Sequence, residues 1–180
     1  YGAEFFVKRS VGNTTGWIGY THSYTYRTFP DVNNGGPYPA KYDRRHDFSA
    51  VATHKLNDKW TFSSIFVYAT GSAITIPIER YVIDGNIYTE FSTKNGYRMD
   101  AYHRLDISAT YTPKPYKKYQ SSWNFSIYNV YSRKNPYFIY FDLETPEGEN
   151  GSIQDGNLTP KAYQVSIFPI LPSITWNFNF

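Results

Sequence analysis

Apolar and polar residues alternate with a period of two along most of this chain, the repeat of a strand whose two faces meet different surroundings. The C-terminus shows it most plainly: Ile174, Trp176, Phe178 and Phe180 interleave with Ser173, Thr175, Asn177 and Asn179. The same alternation, bounded by turn residues, predicts seven strands, at about 1–9, 16–28, 42–56, 59–70, 101–112, 120–143 and 161–180. One phase collects Ile18, Tyr20, His22, Tyr24 and Tyr26, then Phe48, Ala50, Ala52 and His54, then Trp60, Phe62, Ser64, Phe66 and Tyr68. It continues through Leu105, Ile107, Ala109, Tyr111, Trp123, Phe125 and Ile127 to the terminal aromatics, with no Asp, Glu, Lys or Arg among these positions. The opposite phase holds Asp47, Ser49, Thr53, Thr61, Ser63, Arg104, Asp106, Ser108, Thr110, Asn124, Ser126, Thr175 and Asn177.

The connections fall into two length classes that alternate along the chain. Links 10–15, around Asn57 and Asp58, and 113–119 are short, whereas 29–41, 71–100 and 144–160 are long and rich in Gly, Pro, Asn and acidic residues. Transmembrane β-barrels of the bacterial outer membrane have short periplasmic turns, long extracellular loops, an outward apolar face flanked by aromatic girdles and a polar interior. The expected fold is therefore all-β, an antiparallel up-and-down transmembrane barrel. The long links lie outside the cell, and the C-terminus is periplasmic. A charge on the lipid face costs about 2–4 kcal/mol at the midplane, so lipid demands one phase free of charge. A spanning strand needs only about 9–11 residues, so segments 120–143 and 161–180 are expected to project above the membrane. Pro136, Pro169 and Pro172 are expected at bulges or where pairing is lost. Seven strands fall short of the even count of at least about eight that closes such a barrel. Tyr1 is not an initiator Met and nothing like a signal peptide precedes it. The chain thus reads as the C-terminal segment of one larger barrel domain, with the remaining strands elsewhere.

Composition agrees with that picture. Aromatic residues make up 20% of 180 residues, with 19 Tyr, against 18% charged residues and a mean hydropathy of −0.56. Tyr suits a surface that is apolar at one end and wet at the other, and a barrel with an aqueous lumen spans lipid despite a polar average. No stretch approaches the roughly 20 apolar residues of a membrane-spanning helix. The absence of Cys removes disulfides and thiolate metal sites. A net charge of +3 without a basic cluster gives no reason to expect nucleic acid.

Particular motifs carry a resemblance. Phe29-Pro30, Asn33-Asn34-Gly35, Tyr38-Pro39, the run Tyr42 to Asp47, Tyr68 to Gly71, Tyr102 to Asp106, Ile127 to Asn129, Arg133 to Pro136 and Ser166 to Ile174 are similar, in this order, to the C-terminal barrel region of TonB-dependent outer-membrane receptors of the Bacteroidota type. The resemblance covers essentially the whole chain. It implies a barrel of about 22 strands of which this chain is the final third, with a plug domain and a TonB-contacting segment outside it. It also implies energised import of a scarce solute, contact with outer-membrane lipid and lipopolysaccharide, and a surface lipoprotein as a further partner. Trp176, Phe178 and Phe180 are implied as the terminal-strand signal read by the barrel-insertion machinery.

Candidate chemistry is sparse. In the run Asp43-Arg44-Arg45-His46-Asp47, alternation places Asp43, Arg45 and Asp47 on the lumen phase and Arg44 and His46 outward. Rim salt bridging is the ordinary reading; the sharper one has Arg45 and Asp47 at a bound solute and Arg44 and His46 at lipopolysaccharide phosphates, which Arg matches geometrically. Asp84-Gly85 predicts a hairpin within the 71–100 link, and Tyr81, Tyr88, Phe91, Tyr97 and Arg98 are candidates to line the mouth and touch solute. Arg104 and Asp106 read as an internal ion pair or a plug contact. His22, His46, His54 and His103 lie on separate strands without close spacing, so no metal site is expected. Asp142, Glu144, Glu147, Glu149 and Asp155 lack a calcium-loop pattern and read as solvated charges. With no catalytic triad, carboxylate pair or phosphate loop, neither an enzyme nor a cofactor is expected. Active transport is the leading expectation. The alternatives are an outer-membrane scaffold or secretion component and a secreted carbohydrate-binding β-sandwich.

Overall fold

The computed structural model describes all residues except 85, 115–118, 145–158 and 180, and of residues 80–82, 87, 143–144 and 159–160 only the backbone. In chain order the strands are β1 (Gly2–Arg9), β2 (Thr14–Ser23), β3 (Tyr26–Arg27), β4 (Tyr38–Pro39), β5 (His46–Lys55), β6 (Trp60–Ala69), β7 (Ala73–Ile74), β8 (Pro77–Ile83), β9 (Asn86–Phe91), β10 (Tyr97–Arg98), β11 (Tyr102–Tyr111), β12 (Gln120–Tyr128), β13 (Pro136–Glu144), β14 (Thr159–Ser166) and β15 (Leu171–Asn179). Seven of them form one antiparallel sheet in the order β1-β2-β5-β6-β11-β12-β15, which does not close and leaves β1 and β15 as its edges. The other eight pair as β3–β4, β7–β10, β8–β9 and β13–β14. All of these small ladders lie in the chain between β2 and β5, β6 and β11, or β12 and β15, and so stand at one end of the sheet.

The register runs unbroken across the sheet and sorts the side chains onto two faces. One row is Val7, Ile18, Ala50, Phe66 and Leu105; another is His54, Phe62, Ala109, Phe125 and Ile174. We call the face carrying these rows the aromatic face. The intervening row Thr53, Ser63, Ser108, Ser126 and Ser173 lies on the other, polar face. Its hydroxyls bond across strands, Thr53 to Ser63 at 3.1 Å and Ser126 to Ser173 at 2.7 Å. A slip of one residue would exchange the faces entirely. The only Asp, Glu, Lys or Arg that the sheet register places on the aromatic face is Arg9, at the end of β1, where its Nε donates to the Val11 carbonyl.

Almost none of this apolar surface is buried. Among the described residues the buried hydrophobic ones are Tyr38, Ala40, Ala69 and Ala73, all at the long-connection end, whereas Ile18 is 51% exposed, Ile174 67% and Trp176 57%. No second sheet covers the aromatic face among the described residues.

Two of the seven expected strands are broken. The span 120–143 is β12 and β13, and 161–180 is β14 and β15; the inner halves pair with each other, and so do the outer halves. The breaks have local causes: Asn129, Ser132 and Phe168 adopt left-handed φ values of 53°, 53° and 57°, which end a strand. Pro136 sits at a register shift, Pro169 lies in the second break, and Pro172 is on edge strand β15, where a missing N–H is tolerated. Asn129 is fully buried and stitches the two breaks together. Its Nδ2 donates to the carbonyls of Arg133 (2.9 Å) and Phe168 (3.2 Å), its Oδ1 accepts from the Arg133 amide at 3.1 Å, and its own amide donates to Asp106 at 2.8 Å. Asn135 grips the β11 backbone like an added strand: His103 N–H donates to its Oδ1 at 3.0 Å, and its Nδ2 donates to the His103 carbonyl at 2.9 Å. Two further expected strands are shorter than the alternation suggests. The 16–28 span ends at Ser23, and the 42–56 span begins only at His46.

Replacing Asn135 with Ala leaves both His103 backbone groups without their partner and is expected to cost about 1–3 kcal/mol. Asn124→Ala, which loses a half-buried bond to Thr110, is expected to cost about 1 kcal/mol or less. Denaturant unfolding followed by tryptophan fluorescence measures both, and equal costs would contradict the clamp.

Candidate functional site

The chemistry of this chain gathers at the long-connection end, around one carboxylate. After β2 the chain forms the short β3–β4 ladder and returns, with the Ala40 amide on the Thr25 carbonyl and the Asp43 amide on the Ala40 carbonyl, both at 2.9 Å. This places Asp43, with no exposed surface, between two long connections. Its Oδ1 accepts from the Thr25 amide at 2.6 Å; its Oδ2 meets Arg98 Nη2 at 2.6 Å and Arg45 Nε at 3.3 Å. Arg98, on β10, also donates through Nη1 to the carbonyls of Asp43 and of Gly71. Gly71 is needed there, because a Cβ would stand 1.9 Å from the Met99 carbonyl oxygen. Asn95 Nδ2 donates to the Pro39 carbonyl at 2.8 Å and adds a second tie between the same connections. Burial alone pushes the Asp43 carboxyl up, but the Thr25 amide and the Arg98 and Arg45 guanidinium groups outweigh it and hold the carboxyl below its ordinary value.

Arg45 continues outward from this lock. Its guanidinium lies 4.4 Å from the centre of the Tyr24 ring and donates to the Tyr26 hydroxyl at 2.9 Å, a cation–π and hydrogen-bonded seat. Tyr24 begins a band of rings on the aromatic face. Tyr1 stacks on Tyr24 at 5.2 Å, His22 meets Tyr24 edge-on at 5.1 Å, His22 and His46 lie 4.8 Å apart, and Tyr68, His103 and Tyr131 follow. A second band crosses the opposite end of the same face: Trp60 with Tyr111 at 4.9 Å, Trp123 with Trp176 at 5.8 Å, and Phe178 with Trp176 and Tyr119.

On the polar face, Arg104 lies 4.1 Å over the Tyr128 ring and donates through Nη1 to the hydroxyls of Tyr102 (3.0 Å) and Tyr128 (2.6 Å). Its Nε stands 2.9 Å from Asp106 Oδ2, an ion pair by distance that lacks hydrogen-bond alignment.

The structure sorts the residues expected at a site. Arg45 and Arg98 come together on Asp43, so their charge is spent inside the fold. Arg44 pairs with Asp47 at 3.6 Å, both about half exposed. The expected face assignment of Asp43, Arg44 and Arg45 is corrected: all three precede β5, where the pleat that alternates sides has not begun. Tyr88 and Phe91 are exposed on β9 and Tyr97 on β10; the Tyr81 side chain lies outside the described residues. Trp176 and Phe178 are neighbours on the aromatic face, while Phe180, Gly85, Glu147, Glu149, Asp155 and the Glu144 side chain lie outside the description. Sequence reasoning missed the roles of Asp43, Asn95, Asn129 and Asn135. Nothing local in the sequence marks these roles; in the structure Asn95 and Asn129 adopt left-handed φ values of 54° and 53°, which Asn tolerates well among non-glycine residues.

A buried carboxylate held by three donors, the Thr25 amide and two guanidinium groups, is not free to bind solute or move protons. The exposed rings at this end are Tyr88, Phe91 and Tyr97, and on the polar face Tyr102, Arg104 and Tyr128 form a half-buried cluster. Among the described residues no three His, Asp or Glu side chains converge on one point. The chain matches no protein-family model, no curated protein and no solved structure.

Because its folded-state pKa is depressed, Asp43 contributes stability that is complete above the ordinary carboxylate range, about pH 4, and is lost as pH falls through the folded-state value. Asp43→Asn leaves Arg98 and Arg45 without their counter-charge. The substitution is expected to cost about 3 kcal/mol at neutral pH and to flatten the acid limb of the stability–pH curve. Unfolding midpoints from pH 7 down to pH 2 measure it; an unchanged acid limb would show that other carboxylates set it.

Proposed function

We propose that this chain supplies seven consecutive strands of a transmembrane β-barrel, and that the barrel is an outer-membrane receptor of the TonB-dependent type that imports a scarce solute. The observation that carries this reading is the aromatic face: a continuous apolar surface, uncovered among the described residues, with ring bands at both ends and one charge at its margin. Covering such a surface is worth about 1.5–3 kcal/mol for each large side chain, and acyl chains cover it without a second sheet. Trp60 and Tyr68 bound that surface on β6; their separation is about 26 Å along the strand. With a strand tilt of about 40°, the bands stand roughly 20 Å apart across the membrane, close to the apolar belt of about 25 Å in such barrels. The serine and threonine rows then line the lumen.

Strands and a plug from sequence outside these 180 residues complete the barrel, and the TonB complex drives it through the plug. The long connections form the extracellular mouth. There Tyr88, Phe91 and Tyr97 meet the solute, with Arg104, Tyr102 and Tyr128 below them. Arg45 and Arg98 serve the mouth by holding two of its connections on Asp43. Arg44 is the rim charge available to lipopolysaccharide phosphates.

Spin labels at Ile18, Phe62, Ile107, Phe125 and Ile174 in bilayer-reconstituted protein are expected to be quenched by a lipid-soluble agent, and labels at Ser63, Ser108, Ser126 and Thr175 by a water-soluble one. The reverse pattern rejects the barrel. The coding sequence upstream of Tyr1 separates a receptor, which needs a plug and a TonB-contacting segment, from a scaffold or secretion barrel, which does not.

A further inference from the structure

We propose that His22 and His46 form a two-imidazole site for a divalent transition-metal cation, Zn2+, Cu2+ or Ni2+. The two residues are direct cross-strand partners on β2 and β5. The Ser23 amide donates to the Arg45 carbonyl one step beyond them, which makes His22 and His46 a non-hydrogen-bonded pair, the kind whose side chains approach most closely. Their ring centres are 4.8 Å apart with planes inclined by 33°.

Each ring is held by its Nδ1. His22 Nδ1 lies 2.8 Å from the Arg45 carbonyl oxygen. A carbonyl only accepts, so this nitrogen carries the hydrogen and Nε2 keeps its lone pair. His46 Nδ1 lies 2.8 Å from the Tyr20 hydroxyl, which can accept in the same way. A ligating histidine usually has this arrangement, one nitrogen anchored and the other free for the metal. The edge-on Tyr24 ring limits how far His22 can turn. The nearby cations are compensated, Arg45 by Asp43 and Arg44 by Asp47, so a divalent ion does not face unpaired positive charge. Two neutral imidazoles favour metals of this softness over Mg2+ or Ca2+, with water filling the remaining positions. The ion would clamp β2 to β5 at the root of the connection that carries Asp43. The site is independent of the barrel reading, because cross-strand register alone creates it.

The test uses the intact protein without an affinity tag, titrated with Cu2+ and followed by electron paramagnetic resonance. One ion per chain is expected, with hyperfine structure from two imidazole nitrogens. His22→Phe and His46→Phe keep a ring in the stack and are each expected to weaken binding by at least about tenfold; His54→Phe and His103→Phe leave it unchanged. Tyr20→Phe keeps both ligands and removes one anchor, with an expected weakening of about tenfold. Absence of Cu2+ uptake overturns the proposal. So does parent-like binding in the His22 and His46 variants, or in Tyr20→Phe if those two fail to fold.

Discussion

Hydrogen bonding joins the backbones of seven antiparallel strands in one continuous register, and a sheet one layer thick leaves both of its faces to be covered by something else. In this chain every cross-strand partner shares its neighbour's phase, so the aromatic face carries one charge, Arg9, while the polar face mixes its serine, threonine and charged positions with Trp17, Val51, Ile65 and Val67. The apolar rows are not the inside of anything described. That one constraint explains why large residues such as Ile18 and Ile174 stand exposed while hydroxyls of one serine and threonine row bond to one another on the opposite side.

With only Tyr38, Ala40, Ala69 and Ala73 as buried apolar residues among those described, the long-connection end is held largely by buried polar groups. Asp43 collects the Thr25 amide and two arginines; Asn129 and Asn135 stand in for strand partners where β12 and β14 stop. Buried polar groups are costly unless satisfied, and here the satisfaction is what gives each connection one conformation. The same locks position the exposed rings of β9 and β10 at the end of the sheet and set Tyr24 beside His22. Arg45 links the two regions, with Asp43 on one side of its guanidinium and Tyr24 on the other.

Much of the sheet was legible in the sequence because period-two alternation is a local signal. Six of the seven sheet strands fall within the expected spans, β2 starts at Thr14, ahead of its span, and β6 and β11 begin and end within about a residue of theirs. What was illegible depended on distance along the chain. The breaks at 129–135 and 167–170 are enforced by Asn129 reaching Phe168, nearly forty residues away, and the prolines alone indicated a bulge or a loss of pairing without its place. The run Asp43 to Asp47 looked like the start of a pleated strand, yet Arg98, from another connection, holds Asp43 off it. The His22–His46 pair was invisible to a search for nearby spacing, because register between strands, not interval along one strand, brings the rings together. Arg45 and Arg98 were legible as candidates but not as partners of one buried acid.

The most direct measurement is an arginine scan across the middle of the sheet, comparing Ala50→Arg, Phe66→Arg and Leu105→Arg with Ser49→Arg, Val67→Arg and Ser108→Arg and reading the fraction of protein folded in the outer membrane by heat-modifiable migration. A lipid-covered aromatic face predicts that the first three lose about 2–4 kcal/mol of membrane folding free energy, while the second three assemble nearly as the parent does. Equal tolerance of both sets, or greater loss in the second, would contradict it.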